Sequence, residues 1–211
     1  MKNIPILTFL VLILASCTTT QSRSEINEID QGPLPLTDSM VPSCDLQPII
    51  VPTLPEVIPG YTQLDETTGL HVTGEPPEID FSSYRLLVTG LVENPISITY
   101  DQLRCLPKVT DNPALVCPGS FEDNATWSGV LIADILELAK PLPEAKKVSM
   151  ISADGYSFDI SLKFAMDGEN FLAYEWEGQP LPILHGFPLR AVLPDREGYF
   201  WVKWIVELNV K

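Results

Sequence analysis

Cys117 has the widest chemical repertoire in this chain, and it stands in the run Leu115-Val116-Cys117-Pro118-Gly119-Ser120. A thiolate is a nucleophile and a ligand for soft metals, whereas a buried thiol is inert. Three readings are open for it: a metal ligand, a structural cysteine that can pair with Cys44 or Cys105, or a nucleophile activated by His185. Gly119 admits close approach to the backbone, so the amides of the turn after Cys117 can reach a ligand. Far downstream, His185-Gly186-Phe187-Pro188-Leu189-Arg190 and Val202-Lys203-Trp204 place His185, Arg190 and Lys203 in an otherwise acidic chain. Arginine grips phosphate through two parallel hydrogen bonds. Tyr156, directly after Asp154-Gly155, brings a phenol able to donate a hydrogen bond to a ligand oxygen.

Other site chemistries fit these residues poorly. Zinc calls for paired ligands such as Cys-x-x-Cys or His-Glu-x-x-His, and two histidines among four scattered cysteines do not provide them. The chain has no Gly-rich phosphate loop, no Cys-x-x-Cys-His haem attachment and no flavin fingerprint. Twenty-eight acidic against 13 basic residues give a formal charge of −15. A nucleic-acid partner is excluded on that ground, because phosphates are held mainly by lysine and arginine. Adhesion to anionic lipid by surface charge is excluded in the same way. Trp127, Trp201 and Trp204 read as packing residues rather than as a stacking platform.

The elements that must position these groups follow from the hydrophobic pattern. Arg85 to Val92 reads as a buried strand and Ile96 to Ile98 as an alternating one, with Thr99 as the N-cap of a short helix from Tyr100 to Leu106. Lys108 to Cys117 reads as extended. Leu131, Ile132, Ile135, Leu136 and Ala139 make a helical stripe that ends before Pro141. Val148 to Ile151 and Tyr156 to Leu162 flank Asp154-Gly155 as a hairpin. Phe171 to Trp176, a turn at Gly178, Leu189 to Leu193 and Val202 to Val210 supply further strands. Strands outnumber helices and are joined by short connections, so the expected class is α+β, with mixed or antiparallel sheets and short helices.

In this order, from roughly Tyr84 to Val210, the chain resembles the catalytic domain of the sulfite oxidase family of molybdopterin oxidoreductases. The resemblance is carried by the Leu87 to Ile98 hairpin with Gly90 and Asn94-Pro95, by Cys117, and by a Trp127-Ser128-Gly129-Val130 turn leading into a helix. Asp154-Gly155-Tyr156, Ala173-Tyr174-Glu175 with Gly178, and the two closing segments complete it. It implies a sulfite-oxidase-type molybdopterin-binding fold and a molybdenum-molybdopterin cofactor. Cys117 would be the thiolate ligand, in keeping with the preference of such metals for soft sulfur donors. The resemblance also implies cofactor-binding roles for His185, Arg190 and Lys203 and an active-site position near the metal for Tyr156, and the backbone amides of Gly119 and Ser120 are then placed to hydrogen-bond the same cofactor. The implied activity is two-electron or oxygen-atom transfer on a small molecule or an oxidised side chain, with a separate protein as electron partner.

The N-terminal part is read apart from the fold. Lys2, the apolar run Ile4 to Ala15 and Leu14-Ala15-Ser16-Cys17 read as a signal segment, too short for a permanent membrane span and similar to a bacterial lipobox with Cys17 as the lipidated residue. The expected organisation is a signal at 1–17, a Pro-rich extracytoplasmic linker at 18–60 and one domain at 61–211. The linker's apolar Leu46, Ile49, Ile50 and Val51 leave room for partial docking on that domain. The expected location is extracytoplasmic, on the membrane through the N-terminal lipid. Two departures from the family pattern matter. The stretch after Cys117 carries Glu122 and Asp123 instead of the basic residues of sulfite oxidases proper, which argues against sulfite. Met1-Lys2-Asn3-Ile4 lacks the arginine pair by which folded cofactor proteins are exported, which keeps open an alternative: a cofactor-free lipoprotein binding module on the same fold.

Overall fold

A computed structural model describes residues 32–37 and 40–211, and the expected signal segment with Cys17 lies outside them. The first half contains β1 (Leu34–Pro35), β2 (Leu64–Asp65), β3 (Leu70–His71), β4 (Arg85–Gly90), β5 (Ile96–Thr99), helix α1 (Tyr100–Cys105) and β6 (Lys108–Asp111). Next come β7 (Leu115–Cys117), β8 (Phe121–Asp123), β9 (Trp127–Leu131), helix α2 (Ile132–Ala139), β10 (Lys147–Ser152), β11 (Ser157–Ser161) and helix α3 (Leu162–Ala165). The chain closes through β12 (Phe171–Trp176), β13 (Gln179–Pro180), β14 (Arg190–Val192) and β15 (Ile205–Val210). Short 3-10 turns at Ile183–His185 and Gly198–Phe200 interrupt this last part.

The class is α+β with mixed sheets. One sheet has the order β1-β5-β4-β15-β10-β11, and a second joins β13, β12, β9 and β6, with β14 also paired to β12. β4 and β15 run parallel, although 114 residues lie between Gly90 and Ile205, so the C-terminal strand is locked into the centre of the first sheet. Helix α2 packs on β4, β9 and β12 and so ties the two sheets to one core. Its buried Ile132, Ala133, Ile135, Leu136 and Ala139 form the stripe expected from their spacing, and Lys140 ends the helix in the left-handed region before Pro141. Thr99 caps α1: its hydroxyl accepts from the Gln102 amide at 3.0 Å, while the Gln102 side chain accepts from the Thr99 amide.

Several expected elements are corrected. Trp127 to Val130 is not a turn but part of β9, a strand flanked by β12 and β6. The extended run to Cys117 breaks after Asp111, where Asn112-Pro113 cannot continue a ladder, and resumes as β7. Leu162 leaves its strand for α3, because the Ser161 hydroxyl accepts from the Phe164 amide at 3.2 Å and starts a helical turn. Trp204, at φ 52°, bends the chain so that β15 begins at Ile205 rather than Val202. Part of the 18–60 stretch lies on the domain. Leu34 and Pro35 pair in parallel with Ile96 and Ser97, Leu36 and Val41 are buried, and Cys44 is disulfide-bonded to Cys105 at the end of α1.

Gly129 shows how tightly the second sheet is set. A Cβ there would run into the Leu172 carbonyl and the Ala173 backbone, beside a register shift between Ala173 and Glu175. Gly129→Ala is expected to cost about 2 kcal/mol or more, since rigid backbone must move. Gly168→Ala, with nothing within 4 Å of the new carbon, is the neutral comparison. Urea midpoints of the two variants check this.

Candidate functional site

Cys117 ends β7, and the hairpin to β8 turns at Gly119, φ 74°, with the Ser120 amide donating to the Cys117 carbonyl at 3.0 Å. The thiol is half-buried and is the free one among the described cysteines. It sits where two cavities meet. A narrow, more enclosed one is lined by Cys117, His71, Asp123, His185, Arg190 and Lys203. A wider one of about 310 Å³ runs past Tyr156, Tyr199, Trp201 and Trp204. Cys117, Gly198, Trp201 and Lys203 border both. Burial pushes the thiol's pKa up and the Asp123 carboxylate adds to that, while the Arg190 charge pulls it down and Glu197 pushes it up again.

Arg190 lies on β14, which the pairing of Ala173 with Arg190 brings beside β12. Its guanidinium is buried and faces the Trp127 ring at 4.5 Å and the Trp201 ring at 5.6 Å. Nη1 donates to the His185 carbonyl at 3.1 Å, whereas the buried Nε–H has no partner. Burial lowers this group to about 10, with Asp123 and then Cys117 acting in the opposite direction. A buried donor without an acceptor is rare in a folded protein, and at a cavity wall it marks a place for an anionic or acceptor ligand.

His185 and Lys203 are drawn to Arg190 by the turn between them. A Cβ on Gly186, φ 117°, would lie 2.8 Å from the Arg190 Cβ and 3.4 Å from the Lys203 side chain, so only glycine lets the three segments close up. The Lys203 ammonium donates to the Leu184 carbonyl at 2.8 Å and to the Thr73 carbonyl, and stands 4.2 Å from the Trp204 ring centre. Burial, and next the Arg190 charge, lower its pKa to about 7, against an opposing pull from Asp154. Lys203 is therefore poised between charged and neutral at neutral pH.

The buried His185 ring is held through Nε2, which lies 2.9 Å from the Thr68 hydroxyl and 3.1 Å from the Asp65 carboxylate. The Thr68 hydroxyl also reaches Asp65 Oδ2 at 2.9 Å, so a neutral ring protonated on Nε2 satisfies the trio. Burial lowers His185 to about 4, the hydrogen bond to Asp65 opposing it. For Asp65, burial raises the pKa, but hydrogen bonds from Thr67, His185 and Thr68 outweigh it and the net direction is down.

A histidine whose folded pKa lies below its unfolded value destabilises the fold once the unfolded chain takes up the proton. The stability of the neutral ring is present above about 6.5 and falls as pH drops from there to about 4, where the penalty is complete. Unfolding free energies from urea titrations between pH 7 and 4 are expected to fall more steeply for the wild type than for His185→Gln, by about 2 to 3 kcal/mol over the window.

The structure thus gathers Cys117, His185, Arg190 and Lys203 around one narrow cavity and brings Tyr156 to the wider one. Gly119 and Ser120 are not brought in: both are exposed, line neither cavity, and the Ser120 amide already closes the hairpin turn. Asp65, His71, Asp123 and Gly198 are the site residues that sequence reasoning did not place. Asp123 accepts from the His71 amide at 2.7 Å and contacts Nδ1 at 2.6 Å, and the His71 ring stacks on Phe121 at 4.5 Å. The rarity of histidine, two in 211 residues, was the available signal for His71. Nothing local marks Asp65 or Gly198.

Residues 73–211 match the family model of the oxidoreductase molybdopterin binding domain. The chain belongs to this molybdopterin-binding oxidoreductase family. A protein from Azospira oryzae named as a protein-methionine-sulfoxide reductase subunit, YedZ1, is 34% identical over 136 residues, 64% of this chain and 52% of that protein. Sulfite oxidase from Arabidopsis thaliana is 33% identical over 175 residues, covering 65% of this chain and 44% of its own length. The crystal structure of the sulfane dehydrogenase SoxCD from Paracoccus pantotrophus superposes with a TM-score of 0.63 at 25% identity, covering 72% of this chain and 44% of the other. The chain thus spans about half the length of these relatives. The family match begins after Val72, so Asp65, Thr68 and His71, which hold His185 and Asp123, come from the preceding hairpin β2–β3.

The residues present fit the cofactor of the family. Molybdopterin brings a metal that favours thiolate and a phosphate that favours guanidinium and ammonium. Cys117, the guanidinium of Arg190 with its unpaired Nε–H and the amine of Lys203 offer those donors on the walls of two adjoining cavities.

Proposed function

We propose that the chain is an extracytoplasmic molybdopterin-dependent oxidoreductase acting by two-electron or oxygen-atom transfer on a small molecule or an oxidised side chain. The observation that carries the reading is that Arg190, whose buried Nε–H has no partner, lines the same narrow cavity as the free Cys117 thiol. When bound, the cofactor supplies a metal that exchanges two electrons or an oxygen atom with substrate. Cys117 is its thiolate ligand, and Arg190 offers an N–H to the cofactor's anionic part while the rings of Trp127 and Trp201 hold the guanidinium in place. Lys203 adds a proton-dependent charge, and His185, kept neutral by burial, presents an oriented ring.

Acidity around the thiol bears on the substrate. Asp123 and Glu197 both raise the Cys117 thiol against the opposing charge of Arg190, and basic residues are missing from the stretch that follows it. An uncharged organic oxide or oxidised side chain suits that surrounding better than a small dianion such as sulfite. The Cys44–Cys105 disulfide supports a location outside the reducing cytoplasm, and the signal-like run before Cys17 supports membrane attachment through lipid. Electrons would then pass to or from a separate protein.

Molybdenum and pterin assays on protein purified from a host that makes the cofactor test this. Near-stoichiometric amounts of both are expected. Protein that is folded and free of both would instead favour the cofactor-free binding module.

A further inference from the structure

The 3-10 turn Gly198–Phe200 lies directly on Cys117. A Cβ built on Gly198 would stand 2.5 Å from the Cys117 Sγ and 3.0 Å from a Leu115 methyl, so this turn reaches the thiol only because residue 198 is glycine. At the base of the loop, the Trp201 indole N–H donates to the carbonyls of Leu193 at 2.9 Å and Arg196 at 3.0 Å. At the tip, the Tyr156 hydroxyl donates to the Tyr199 carbonyl at 2.9 Å. Phe158, two residues along β11, adds ring contacts to Tyr199 and Phe200 at 6.0 and 4.4 Å.

We propose that the Gly198–Phe200 turn is a cover over the Cys117 thiol and that Tyr156 is the positioning residue that latches it. The base of the loop is anchored by a buried indole, but the latch is at the surface. Tyr156 is 44% and Tyr199 51% exposed, so the bond between them competes with water, and the turn can open with Phe200 as its one side chain leaving contact with the core. The wider cavity is bordered by Tyr156, Gly198, Tyr199 and Cys117, and lifting the turn widens the way from solvent to sulfur. The phenol proton of Tyr156 is committed to a backbone carbonyl, so Tyr156 acts on the sulfur through the turn. The consequence for chemistry rests on Cys117 being the metal ligand: the latch would then set which molecules reach a metal held by the thiol.

The test is read on the thiol in full-length protein made without the cofactor. Iodoacetamide labelling of the Cys117 peptide, followed by mass spectrometry, is expected to be roughly fivefold faster in Tyr156→Phe, the opening gained when one exposed hydrogen bond is lost. Gly198→Ala, which forces turn and thiol apart, should be faster still. A Tyr156→Phe rate within twofold of wild type, at an unchanged melting temperature, overturns the latch. Should that variant lose stability instead, amide exchange of Tyr199 to Trp201 in the wild type decides: exchange well ahead of β15 supports a local opening, and exchange only together with β15 overturns it. No molybdenum is needed for either readout, so a chain that never loads the metal still reveals whether the cover exists.

Discussion

Cys117→Ser is expected to yield a folded protein that carries no molybdenum and has lost at least about a hundredfold in activity, since even outer-shell changes at metal sites reach that size. Serine keeps the shape of the side chain but offers a hard, protonated oxygen where a soft thiolate is wanted. The thiol is only partly buried, at the end of a three-residue strand, and engages no disulfide, so stability should stay within about 1 kcal/mol of wild type. Metal analysis and a urea titration on the same preparation check both halves. Full molybdenum in the serine variant would remove Cys117 from the metal, and an unfolded variant would make it a packing residue.

Arg190→Met separates structure from function by the sign of its effect. A guanidinium buried with an unpartnered N–H is a cost to the empty fold, and an apolar side chain of similar length removes that cost of about 1 to 3 kcal/mol at the loss of one hydrogen bond to the His185 carbonyl, about 1 kcal/mol. Methionine can fill the space between the Trp127 and Trp201 rings and keep sulfur-aromatic contacts there. The cofactor-free variant is therefore expected to melt at or above the wild-type temperature, while cofactor retention falls by about a hundredfold through loss of a charge-assisted bond to the anionic part. Calorimetry of cofactor-free protein and pterin content after gel filtration give the two numbers. If the arginine is there for stability alone, the variant melts lower by an amount typical of a broken buried pair, about 3 kcal/mol or more, with no separate effect on retention.

Much of this protein is local and was therefore legible. The capping box at Thr99, the apolar stripe of α2, the Asp154-Gly155 hairpin and the left-handed turn at Gly178 each depend on residues within a few positions of one another. Cys117, His185, Arg190 and Lys203 stood out because a thiol and cations are conspicuous in an acidic chain, and their ordered spacing carried the family.

What the sequence by itself determined is the class of fold, the family and the kinds of side chain on offer to a metal and an anion. Tertiary structure alone decided how they meet. The carboxylate that holds His185 comes from Asp65, 120 positions away, and the glycine that fits over Cys117 lies 81 positions downstream, distances across which no periodicity or motif reports. The same holds for the unpartnered state of the Arg190 Nε, which exists only because β14 pairs with β12 and lays the guanidinium against Trp127 and Trp201. Local pattern records which face of an element is apolar, whereas hydrogen-bond partners and cavity walls are set by packing between elements distant in the chain.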